Sequence, residues 1–168
     1  MECNFNELLL RTAFACMACD GDIAQEEIDL IKSLDKDEHL FGDINIDDRL
    51  ESLLSEINEQ GAEFLKSYLN ILNELQPNEA DSISVLNVAA KTIKADNIVK
   101  YSEIKFFKVI KANLNANDDL ILEMIEGIDE MWVAQDIKDY VSLFNSYFEN
   151  LELPKFDLEA LAKNEEEK

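Results

Sequence analysis

The feature that most constrains this chain is that it repeats itself. Residues 13–34 and 89–110 align without gaps at an offset of 76. Ala13 falls on Ala89, Asp20 on Asp96, Ile23 on Val99, Glu27 on Glu103, Ile28 on Ile104, Leu30 on Phe106, Ile31 on Phe107 and Leu34 on Ile110. Each unit reads as a helix, a tight turn carrying Asp, and a second helix with Glu seven positions after that Asp. A single helical hairpin cannot bury its own apolar face, whereas two can pack about a pseudo-twofold axis and share one core. The repeat units extend over about 8–36 and 84–112.

The turns differ in one informative residue. Gly21 follows the first Asp and Asn97 follows the second. Glycine enters the left-handed region freely, and Asn is the side-chain-bearing residue that tolerates it best. The same turn geometry is therefore expected in both copies.

Helical periodicity runs through the rest of the chain. Phe5, Leu8, Leu9, Thr12, Cys16 and Cys19 keep a 3–4 spacing. Leu50, Leu53, Leu54 and Ile57 form another stripe, with Asn45 and Asp47 as candidate N-caps. Phe64 to Leu75 forms a fourth helix, stopped by Pro77. Further helices are expected from about Glu79 to Ala95, across Ile104 to Leu114, and across Leu120 to Ile128. A last long helix should carry Trp132, Ile137, Tyr140, Val141, Phe144, Tyr147 and Phe148. With four Gly, two Pro and no sustained alternation of period two, strands are not expected. The fold class is all-α, a single helical-bundle domain of about seven to eight helices over 1–153, with 154–168 as an acidic C-terminal tail.

Charge narrows the partners. Against 15 Lys and Arg stand 37 Asp and Glu, a formal net charge of −22. Such a field repels nucleic acid and anionic lipid and attracts cations or basic surfaces. The N-terminus lacks the basic start of a signal peptide, and no apolar run is long enough to span a bilayer. Three cysteines, an odd number, fit reduced thiols in a cytoplasmic protein. Cys16 and Cys19 have the spacing of a redox or zinc pair, but His39 is the sole histidine and no second Cys pair exists. Both read as small buried packing residues, with Cys3 upstream of them.

The stretch Ala15-Cys16-Met17-Ala18-Cys19-Asp20-Gly21-Asp22-Ile23-Ala24-Gln25-Glu26-Glu27, echoed from Ala95 to Glu103, resembles the TerB-like family associated with bacterial tellurite resistance. The similarity runs from about Leu8 to Phe148, with the two Asp-turn-Glu units as its diagnostic part. This resemblance implies an all-helical domain of duplicated hairpins, a role in chemical-stress response, and divalent cation binding at acidic positions. By the same resemblance Asp20 and Glu27, then Asp96 and Glu103, match the family's motif.

Two readings of these acids stand side by side. Asp20, Asp22, Glu26 and Glu27 place four carboxylates around one turn, the oxygen-rich chemistry that Ca²⁺ or Mg²⁺ requires. The candidate metal positions are thus Asp20, Asp22, Glu27, Asp96 and Glu103. The spacing is not that of an EF-hand, since Gln25 and Ile31 occupy the positions of its Gly and bidentate Glu. Alternatively, Glu27 and Glu103 sit at the third residue of a helix, where a carboxylate reaches back to free amides and meets the positive end of the dipole. That role needs no metal.

The copies also differ in charge. Residues 15–35 carry six acids and one base, whereas 91–111 carry six lysines and two acids. Lys105, Lys108 and Lys111 recur every three residues and form a candidate surface for a protein partner or a second copy of the chain. One His, no phosphate loop and no nucleophile–base pair argue against catalysis. The expectation is a non-catalytic acidic binding module, or else a structural or adaptor domain whose acidic surface serves solubility.

Overall fold

A computed structural model describes residues 4–19, 21, 23, 25–39, 41–42, 44–95, 97–134, 140–149, 151 and 153. Among these there are nine helices and no strand. They are α1 (Phe5–Ala18), α2 (Gln25–Glu38), α3 (Ile46–Gln60), α4 (Ala62–Leu75), α5 (Glu79–Ile93), α6 (Tyr101–Ala112), α7 (Asp118–Met124), α8 (Glu130–Val133) and α9 (Tyr140–Phe148). The all-helical class read from the periodicity is what the chain adopts.

The helix starts follow from capping chemistry. Asn4, Asn45, Asn78 and Asn117 each accept the N–H of the residue three positions on, which satisfies one of the free amides at a helix start. Glycine and left-handed residues end or join helices. Gly61 at φ +60° links α3 to α4, and Gln76 at φ +43° closes α4 directly before Pro77.

The centre of the molecule is the pairing of α1 with α5. Ala13, Ala15, Ala18, Ala89 and Ala90 are fully buried there, and their small side chains let the two backbones approach. Every residue of α1 from Glu7 to Ala18 is buried, so this helix is enclosed on all sides. Around the pair, α2, α3 and α4 pack on α1, whereas α6 packs on α5 and carries α8 and α9. Phe106 and Phe107 anchor the outer layer: Phe107 meets Trp132 edge-on at 5.1 Å, and Phe106 meets Tyr147 at 5.0 Å.

Enclosing α1 buries Arg11, which the sequence alone would place outside. Its Nε donates to Glu7 Oε1 at 3.2 Å and its guanidinium also faces Glu56 at 3.7 Å. Arg49 of α3 pairs with the same Glu7 oxygen. A buried charge is tolerated only with such partners.

One expected helix is divided. Trp132 lies in α8 and Tyr147 in α9, because the backbone turns extended at Ala134 (φ −63°, ψ 139°). Ile137 lies outside the described residues, as does the acidic tail from 154.

Candidate functional site

The two acidic turns begin where α1 and α5 end. After α1, Gly21 takes φ +82° and donates its N–H to the Ala18 carbonyl at 2.9 Å. After α5, Asn97 takes φ +63° and donates its N–H to the Lys94 carbonyl at 3.0 Å. Both stretches then enter a helix at corresponding positions, Gln25 in α2 and Tyr101 in α6. Burial follows the same register: Ile28 and Ile104, Ile31 and Phe107, Leu34 and Ile110 are all in the core.

Glu27 and Glu103 are each the third residue of their helix, and each is only 3% exposed. Glu103 Oε1 accepts the Lys100 backbone N–H at 2.9 Å. This is half of a capping box. The other half is supplied by backbone, with the Glu103 N–H bonded to the Lys100 carbonyl at 3.0 Å, since a lysine ammonium has no lone pair to accept with. Capping therefore accounts for one carboxylate oxygen of Glu103.

The two glutamates share a buried neighbour. Cys16, fully buried in α1, has its thiol pushed well above the ordinary thiol value of 9.0, first by burial and then by the negative charges of Glu103 and Glu27. One residue of each acidic unit thus acts on the same sulfur, and Cys16 stays a neutral thiol. Cys19 is likewise a buried thiol, its Sγ donating to the Cys16 carbonyl at 3.1 Å. Periodicity gave no sign that Cys16 lies within reach of both glutamates.

Asp20, Asp22 and Asp96 lie outside the described residues. Among the described residues no three His, Cys, Asp or Glu side chains are grouped to hold a metal ion. Glu26 is exposed beside the buried Glu27.

The lysines of α6 do not form one open face. Lys108 is only 5% exposed, and Lys111 pairs with Asp118 and reaches the Val133 carbonyl at 3.4 Å. Lys105 is half-buried with its ammonium 5.0 Å from the Tyr101 ring centre. The expected stripe is corrected here: α6 is packed by α1, α5, α8 and α9, which leaves too narrow a solvated surface for all three.

One long-range contact to the first turn has no signal in the sequence pattern. The Tyr147 hydroxyl of α9 donates to the carbonyl of Cys19 at 2.5 Å, across 128 positions. Separately, an open cleft of about 490 Å³ runs between α4 and the end of α6, lined by Asn70, Asn73, Asn113 and Phe144 among others. No helix among the described residues is long and apolar enough to cross a membrane. Comparison with family models, with curated proteins and with solved structures finds no match.

Proposed function

We propose that this chain is a non-catalytic, TerB-like binding domain of a bacterial chemical-stress response, built from two copies of one helical hairpin about a pseudo-twofold axis. The supporting observation is the agreement of the two units: helix starts in register, positive φ at Gly21 and Asn97, and a buried third-residue glutamate in each. A tellurite-related role comes from the resemblance of the two Asp-turn-Glu units alone.

The first acidic turn is the better place for a divalent cation. Asp20, Asp22 and Glu26 would supply hard oxygen donors, which favour Ca²⁺ or Mg²⁺ over softer metals. Lys91, Lys94 and Lys100 surround the second Asp in sequence, and positive charge there opposes a cation. Glu27 and Glu103 would contribute mainly at the helix starts, because both are buried and Glu103 already caps α6. When bound, the cation would order the turn and present a positive centre to an anionic group of a partner.

The Glu103 cap also favours a second reading, a structural or adaptor domain with no metal site, since it explains a motif carboxylate without any ligand. Calorimetric titration with Ca²⁺, Mg²⁺ and Zn²⁺, on the wild type and on Asp20→Asn with Asp96→Asn, separates the two. Saturable heat that the double variant loses supports the cation reading. No heat at millimolar metal supports the adaptor.

A further inference from the structure

The last carbonyls of a helix have no partner within it and must find one elsewhere. At the end of α1, the Cys16 carbonyl takes the Cys19 thiol and the Ala18 carbonyl takes the Gly21 N–H. Those partners are local. The Cys19 carbonyl also has a distant partner, the hydroxyl of Tyr147 on α9.

We propose that Tyr147 is a positioning residue for the first acidic turn: its hydroxyl, fixed by the docking of α9, holds the peptide through which the chain enters Asp20. A peptide unit is planar, so the carbonyl of Cys19 and the N–H of the next residue turn together. Anchoring that oxygen sets the direction in which the chain leaves Cys19. Both partners are buried, with Tyr147 at 5% exposure and Cys19 at none, so water cannot take over the bond cheaply.

The anchor itself is held by a chain of packed rings. The Tyr147 ring lies against Phe106 at 5.0 Å, and Phe106 lies against Tyr68 at 6.3 Å. The Tyr68 hydroxyl is 2.6 Å from Thr12 Oγ1, which returns the chain of contacts to α1. The second turn is tied differently. There Lys94 Nζ donates to the Glu126 carbonyl at 2.6 Å, an exposed contact to the loop after α7. Loss of the Tyr147 hydroxyl therefore bears on the first turn and not on the Lys94 contact of the second. Linkage makes the effect reciprocal, so whatever orders the first turn also favours the docked α9.

The effect on the turn itself needs no ligand, whereas the effect on affinity rests on the cation reading above. The test is Tyr147→Phe in the full chain, which keeps the ring on Phe106 and removes the hydroxyl. Amide exchange without metal should speed at Gly21 by about fivefold, the worth of one net hydrogen bond, while Asn97 is unmoved. Titration with Ca²⁺ should show a severalfold weaker first-turn affinity. Unchanged exchange at Gly21 overturns the proposal whether or not metal binds. Faster exchange beside an unaltered affinity in a protein that does bind also overturns it. A wild type that binds no Ca²⁺ sinks the cation reading, and Gly21 exchange then decides the role of Tyr147 alone.

Discussion

Asn97 stands in the second hairpin where Gly21 stands in the first, and both turn through positive φ, at +63° and +82°. Each donates its N–H three residues back, to Lys94 and to Ala18. Left-handed backbone costs a side-chain-bearing residue roughly 1–2 kcal/mol, least for Asn. Asn97→Ala should therefore destabilise the protein by about 1 kcal/mol, while Asn97→Gly should be close to neutral. Urea unfolding of both variants checks this, and equal losses for Ala and Gly would show that the turn conformation is not what matters there.

Glu103 is buried and accepts the Lys100 N–H from the first turn of α6. Its removal frees an amide and takes a negative charge from the helix start. Glu103→Ala should cost about 1–2 kcal/mol, and Glu103→Gln should lose less because it keeps an acceptor of the same shape. Chemical denaturation of the pair gives the ranking.

Cys16 carries a pH dependence with a definite sign. Its folded thiol is raised, by burial first and by Glu103 and Glu27 after that, above an ordinary value of 9.0. The unfolded thiol ionises first as pH rises, so this contribution is whole below pH 9.0 and is lost above it. Between pH 8 and 10 the wild type should lose about 1 kcal/mol more stability than Cys16→Ala, in parallel denaturation series. Equal losses would mean that Cys16 does not titrate in this way.

Much of this was legible in the sequence, for local reasons. The starts of α2 and α6 follow from an acid at the third helical position ahead of an apolar stripe, and Asn45 marks α3 by the same capping chemistry. The break at Ala134 was not legible. Trp132, Phe144, Tyr147 and Phe148 share one helical phase, and neither Gly nor Pro marks the interruption. Lys108 was misplaced because periodicity treats a lysine as surface, whereas its long stem can pass through the packing of α6. Tyr147 and Cys19 meet only in three dimensions, and no pattern within a few turns of either announces the contact.

The proposed cation site lies at the first of the two turns, which is rich in carboxylates. Amide chemical shifts of the full chain during titration with Ca²⁺ and with Mg²⁺ address it most directly. Saturable shifts that begin at Gly21 and its neighbours and are weaker at Asn97 are the expected outcome. Spectra that stay unmoved at both turns up to millimolar metal would contradict it.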